Sequence, residues 1–165
     1  MINDEKATAI IQHITYDVLD ERYDTDIFTE PTIKGRLGVN AMKASKHLYD
    51  HVVFDSSVEQ SFAAELDTSS DVAVYVKLPS GFYISTPIGK YNPDWAIAFY
   101  EGTVKHIYFV AETKGTLDTM HLNHISPQEQ AKIDCARAHF RAISDSGVKY
   151  DVVSNYQDLL RMMKS

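Results

Sequence analysis

Two apolar runs in this chain carry charge at matching ends. Trp95–Tyr100 is preceded by Pro93-Asp94, Val104–Ala111 is followed by Glu112-Thr113-Lys114, and Glu101-Gly102-Thr103 lies between them. Both runs read as strands, and folding them back on each other gathers Asp94, Glu112 and Lys114 at one edge of a sheet. Charge at the end of a greasy strand costs several kcal/mol unless it is paired or holds a metal. The rest of the chain is therefore read as scaffold for this group.

The connection between the strands decides whether the three groups can act together. Side chains alternate along a strand, so Glu112 and Lys114 share a face. A two-residue turn at Glu101-Gly102 would pair Asp94 with Phe109. A three-residue loop, Glu101-Gly102-Thr103, would pair Tyr100 with Val104 and Asp94 with Val110. Asp94 then lies diagonal to Glu112, with Cα atoms roughly 7–8 Å apart. Two carboxylates at that spacing close on one divalent cation, and Gly102 suits the left-handed position of such a loop. The expected connection is the three-residue loop or an equivalent bulge.

With 165 residues, 44% of them hydrophobic, one globular domain with a real core is expected. No apolar run approaches the roughly 20 residues of a membrane span. The acidic start Met1-Ile2-Asn3-Asp4-Glu5 has no signal-peptide pattern. Cys135 is the only cysteine, so no intramolecular disulfide forms, and a reducing cytoplasm is the expected setting. The formal charge of −7 argues against a free-standing nucleic-acid binder, which carries a basic face, but not against a catalytic module delivered to nucleic acid by other domains.

In chain order, Asn3 caps an amphipathic helix through Ala7, Ile10, Ile11, Ile14, Val18 and Leu19, and residues 20–38 read as loop. Val39–Tyr49 reads as a short helix, followed by an extended His51–Phe54. Ser56-Ser57-Val58-Glu59 is a capping box opening a helix through Phe62, Ala63 and Leu66. Val72–Val76 and Phe82–Ser85 are strands; with the two runs above they make a four-strand meander. Ser126-Pro127-Gln128-Glu129 opens a helix whose buried face is Ile133, Ala136, Phe140 and Ile143. Tyr150–Val153 is a fifth strand, and Ser154 begins a last helix through Tyr156, Leu159, Leu160 and Met163. The order predicts an α/β fold, a mixed central sheet of about five strands flanked by helices.

Several of these segments resemble a known family. Pro93-Asp94 with Glu112-Thr113-Lys114 resembles the PD-(D/E)xK nuclease motif. Tyr49-Asp50-His51, Asp55–Glu59, Val74–Pro79, Thr86–Trp95 and Glu112–Asp118 together look like the C-terminal endonuclease domain of the restriction (Res) subunit of type III restriction–modification enzymes. The resemblance covers nearly the whole chain and is most specific from about Tyr49 to Phe140. It implies a restriction-endonuclease-like core over residues 41–165, with residues 1–40 as a helix and loop leading into it. It further implies Mg²⁺-dependent cleavage of double-stranded DNA, with Mn²⁺ as a substitute. The implied partners are the helicase/ATPase module of the same Res subunit and a modification (Mod) subunit; a dimer is compatible with cutting two strands, and no membrane is involved. The chain has no Walker Gly-x-x-x-x-Gly-Lys-[Ser/Thr], so it reads as the nuclease part alone.

The metal carboxylates carry over to Asp94 and Glu112, the catalytic lysine to Lys114 and the helical acid to Glu59, with the Thr113 carbonyl as a third metal ligand. Lys114 would hold the attacking water or neutralise charge on phosphorus. Gly115 leaves room for a phosphate, and Lys77 either contacts DNA or merely ends a strand. Each residue also has a plainer reading. Glu112 and Lys114 could be an exposed ion pair worth little, and Glu59 has a full task as a capping residue. Gln130 and Lys132 read as a solvated helix face, His121-x-x-His124 as loop surface rather than zinc ligands, Cys135 as packing, and Trp95 as core on the face opposite Asp94. A rival function is a catalytically silent nuclease fold kept for protein docking; another is a nuclease acting on RNA or recombination intermediates.

Overall fold

The computed structural model describes residues 35–104, 108–114, 126–143 and 148–165. The expected N-terminal helix, Gly115 and the His121/His124 pair lie outside the described residues, as does the side chain of Ile143.

Four strands form the central sheet: β3 (Val72–Lys77), β6 (Trp95–Phe99), β7 (Tyr108–Thr113) and β8 (Val148–Val153), in the order β3-β6-β7-β8. The first two pairings are antiparallel and the last is parallel, so the expected mixed α/β architecture is present. Two small hairpins stand apart from it: β1 (Ala41–Lys43) with β2 (His51–Val53), and β4 (Ile84–Thr86) with β5 (Gly89–Tyr91). The helices are α1 (Ser57–Thr68), α2 (Pro127–Ile143) and α3 (Tyr156–Lys164).

Alternation along the strands explains the layers. Trp95, Ile97 and Phe99 of β6 and Phe109 and Ala111 of β7 face α1 and α3, meeting Phe62, Ala63, Leu66, Tyr156, Leu159 and Met163. The opposite face carries Val76, Ala96, Val110, Tyr150 and Val152, covered by Ile133, Ala136 and Phe140 of α2 and by Ile84 and Tyr91 of the β4–β5 hairpin. The chain starts its helices as its caps direct. Ser56 Oγ accepts from the Glu59 amide at 3.2 Å and Ser126 Oγ from the Glu129 amide at 3.1 Å. The last helix begins one residue later than expected, because the Asn155 side chain, not Ser154, accepts from the Asp158 amide.

Three expectations fail. Val39–Tyr49 is not helical: it contributes β1, and its later residues run along the outer edge of β3. There Tyr75 N–H donates to Lys46 O at 3.0 Å and Leu48 N–H to Tyr75 O at 2.9 Å, so this stretch closes an otherwise unpaired edge. Phe82–Ser85 does not join the central sheet, which among the described residues has four strands. The Asn92 amide donates to Pro79 O and Phe82 O, and Gly89 turns the chain with φ +121°, folding this segment into the separate hairpin. β3 consequently pairs with β6 directly.

The register of the central pair is also different. Trp95 stands opposite Ala111 and Ala98 opposite Tyr108, so the connection is longer than three residues and the second strand starts and ends later than its apolar run suggested. The Tyr100 amide donates to Asp71 O at 2.9 Å, continuing the β3–β6 ladder one pair beyond Val72–Phe99, and a turn from Tyr100 to Thr103 follows, with Gly102 at φ +86°. The shift is by two, so each strand residue keeps its face, and Asp94 lies just before the Trp95–Ala111 pair with its amide bonded to Ala111 O.

His47 ties the covering stretch to β3: its Nε2 accepts the Lys77 amide hydrogen at 3.1 Å, which requires that nitrogen to be unprotonated. Burial holds its pKa below the ordinary histidine value, against smaller opposing contributions from the Tyr49 backbone and Asp67. A depressed histidine contributes stability above its unfolded pKa of about 6.5 and loses it as pH falls through the folded value. Urea unfolding of wild type and His47→Gln across pH 7 to 5 should show a steeper loss of stability in the wild type. Parallel slopes would contradict this assignment.

Candidate active site

The end of the sheet formed by the start of β6 and the end of β7 brings the three singled-out residues together. Asp94 lies just before β6, its amide donating to Ala111 O at 3.2 Å. Its Oδ2 accepts from both Thr113 N and Thr113 Oγ1, each at 2.7 Å. Among the described residues no donor reaches Oδ1. Glu112 is the one buried charged residue among those described. Its Oε1 is 2.9 Å from Lys114 Nζ and its Oε2 accepts from Tyr91 OH at 2.8 Å. Tyr91 OH in turn meets Tyr150 OH at 2.5 Å. The Lys114 amide donates to Val153 O at 3.0 Å, so β8 anchors its backbone.

Two ion clusters flank this end, one on each side of the sheet. Lys114, Glu112 and Glu129 lie on the α2 face, with Lys114 Nζ in a short contact with Glu129 Oε1. Lys77, Glu59 and Asp55 lie on the α1 face, because Lys77 is the cross-strand partner of Trp95 and so shares its side. Lys77 Nζ is 2.7 Å from Glu59 Oε2 and 2.8 Å from Asp55 Oδ2. Glu59 Oε2 also accepts the Asp55 amide hydrogen at 2.7 Å, one residue before the Ser56 cap, so it ties down the approach to its own helix. Asp94 sits between the clusters and feels both: burial raises its pKa most, Glu59 raises it further, and its Thr113 bonds and Lys114 oppose the rise.

Glu112 shows the same tension more strongly. Burial and then the Asp94 charge push its carboxyl up to about 7, against the pull of Lys114 and Tyr91. Two adjacent carboxylates with too little positive charge between them behave in this way. For Lys114, burial lowers the pKa but the bonds to Glu129 and Glu112 outweigh it, leaving the ammonium firmly charged. Lys77 is balanced likewise by Asp55 and Glu59, with its pKa raised overall.

Residues 45–156 match a family model described as an endonuclease domain, which is 112 of the 165 residues. The chain belongs to this endonuclease-domain family. No curated protein and no solved structure matches it. The match contains every residue of both ion clusters, so the endonuclease domain carries its charged sheet end within its family-defining span. No described helix of it is long and apolar enough to cross a membrane.

The endonuclease domain thus joins Asp94, Thr113, Glu112 and Lys114 directly, and places Glu59 within electrostatic reach of Asp94. Lys77 is on the other face from Lys114 and engaged by two carboxylates. The sequence accounts for Glu129 only as the last residue of a capping box. Its position three residues after Ser126 explained it fully, and nothing in the spacing links it to Lys114.

The donor set suits a hard divalent cation. Asp94 Oδ1 lacks a donor among the described residues, and the neighbouring Glu112 carboxyl is pushed up by burial and then by the Asp94 charge. Among the described residues no three His, Cys, Asp or Glu side chains converge in ligand geometry. Two carboxylates at this end are compatible with a cation such as Mg²⁺, which takes one or two protein carboxylates and keeps several waters.

Proposed function

We propose that the domain is a Mg²⁺-dependent DNA endonuclease, the nuclease part of the Res subunit of a type III restriction enzyme, hydrolysing phosphodiester bonds. The observation that carries this reading is the convergence of Asp94, Glu112 and Lys114 at one sheet end, inside a span that matches an endonuclease-domain family. Asp94 and Glu112 would hold the ion, with the Thr113 carbonyl as a further oxygen donor. Bound there, Mg²⁺ supplies a water of lowered pKa and screens the phosphate charge. Mn²⁺ would substitute.

The chain's own groups do the rest. Thr113 fixes the Asp94 carboxylate through two donors and so presents the opposite oxygen. Lys114 would donate a hydrogen bond from its ammonium to the attacking water or to the oxygens on phosphorus as charge builds up. Tyr91, braced by Tyr150, holds the second oxygen of Glu112. Double-stranded DNA, the helicase/ATPase module of the same subunit and a modification subunit are the proposed partners, in the cytoplasm. The net charge of −7 supports DNA being held mainly by those other parts.

Calorimetric titration of Mn²⁺ into the 165-residue wild type and Asp94→Ala, with circular dichroism as a fold check, tests the site. Binding by the wild type and at least about tenfold weaker binding by the variant is expected. If neither binds, even with duplex DNA present, the site is not a metal centre and the docking-module reading takes its place.

A further inference from the structure

Glu129 occupies the third position of α2, where a capping-box glutamate turns its carboxylate back to the helix start. Here only half of the box forms. Ser126 Oγ accepts the Glu129 amide hydrogen at 3.1 Å, but no bond runs from the Ser126 amide to the Glu129 carboxylate. The carboxylate is directed instead to Lys114 Nζ. Glu59, the corresponding residue of α1, shares its Oε2 between the Asp55 amide just before its own helix and Lys77 Nζ. Among the described residues the Glu129 carboxylate has no such bond to its own helix start, so it is committed to the lysine.

What Glu129 does follows from the state of Glu112. Both Glu112 oxygens are taken, Oε1 by Lys114 and Oε2 by Tyr91. An ammonium 2.9 Å from a carboxylate oxygen opposes the arrival of a dication at that oxygen, since like charges at this range repel strongly where water is scarce. Lys114 therefore needs a second anion to carry it when Glu112 turns to a cation. Glu129 is placed for this: its side chain is 41% exposed against 8% for Glu112, so a lysine held by Glu129 is drawn to the open side of the site.

We propose that Glu129 is a positioning residue, the second seat of Lys114, which lets Glu112 exchange its ammonium partner for a divalent cation and keeps that ammonium at the mouth where a phosphate would lie. This rests on the metal-site reading given above and adds to it the group that decouples the lysine from the metal carboxylate. The exchange is a movement of one hydrogen-bonded ammonium between two carboxylates, with no bond made or broken.

A double-mutant cycle in the full chain tests it by Mn²⁺ calorimetry, using Glu129→Ala and Glu129→Gln, each alone and with Lys114→Met. Circular dichroism checks the fold, and the glutamine variant keeps the test available should the alanine variant fail to fold. In the lysine background, Glu129→Ala should weaken Mn²⁺ binding by about tenfold, the scale seen when a group supporting a metal ligand is removed. Glu129→Gln keeps an acceptor without the charge and should fall between Glu129→Ala and wild type. In the Lys114→Met background the effect of either should shrink to within about twofold, as for uncoupled sites. An equal loss in both backgrounds would mean that Glu129 acts only through its own charge on the cation, and no loss in the lysine background would mean that it acts on the helix alone; either overturns the inference. A wild type that takes no Mn²⁺ overturns the metal-site reading itself, so the two failures are distinguishable.

Discussion

Lys114→Met is expected to reduce Mg²⁺-dependent cleavage of duplex DNA by at least about 10²–10³-fold while the domain stays folded. The loss follows from what Lys114 alone supplies. Among the described residues the ammonium groups at this end of the sheet are those of Lys114 and Lys77, and Lys77 is on the far face, bonded to Asp55 and Glu59. No other described cation is placed to take over charge developing on phosphorus beside Glu112. Stability should survive for a separate reason. Removing one partner of a buried ion pair costs about 3–5 kcal/mol when it strands a charge. Glu112 escapes this because burial and Asp94 already hold its carboxyl up to about 7, and without Lys114 it takes a proton at neutral pH while keeping its bond from Tyr91. Cleavage assays with the helicase module and modification subunit supplied, beside thermal unfolding of the domain alone, measure both halves. A variant that cleaves within tenfold of wild type would remove Lys114 from the chemistry.

What the sequence disclosed about this site, and what it hid, divides along a physical line. Local signals were readable: Ser56, Ser126 and the neighbourhood of Ser154 start helices because cap chemistry acts within one turn. The shared side of Glu112 and Lys114 was readable too, because alternation along one strand is independent of how the connection closes. The register was not. It goes with pairings on both sides of β6, where Tyr100 still bonds to Asp71 next to β3, a contact between segments 29 positions apart that no window around Gly102 reveals. The fate of Phe82–Ser85 was hidden for the same reason, since Asn92 folds it away from the sheet through two side-chain bonds. Glu129 was concealed by its own helix signature: a residue that satisfies a local rule gives no sign that its side chain is used elsewhere.

Trp95→Ala should be the most damaging single core change, at about 3–5 kcal/mol, a large share of the 5–15 kcal/mol by which a domain of this kind is stable. Trp95 is fully buried and its ring lies 5.8 Å from Phe62 and 6.2 Å from Tyr75, so it joins α1 to β3 across β6. The cavity would open directly under the site. Trp95 Nε1 donates to Thr113 Oγ1 at 3.3 Å, and the same hydroxyl donates to Asp94 Oδ2 at 2.7 Å. The indole therefore holds the threonine that holds the aspartate, and the core reaches the chemistry in two hydrogen bonds. Trp95→Phe separates the two roles: it retains most of the packing, loses the Nε1 donor, and should cost less stability while still weakening Mn²⁺ binding relative to wild type. Since Trp95 is the only tryptophan, urea unfolding must be followed by circular dichroism rather than fluorescence. A Trp95→Phe domain that binds Mn²⁺ as tightly as wild type would show that Asp94 keeps its place through the Thr113 amide alone, and that the core and the site are joined by backbone rather than by this side-chain relay.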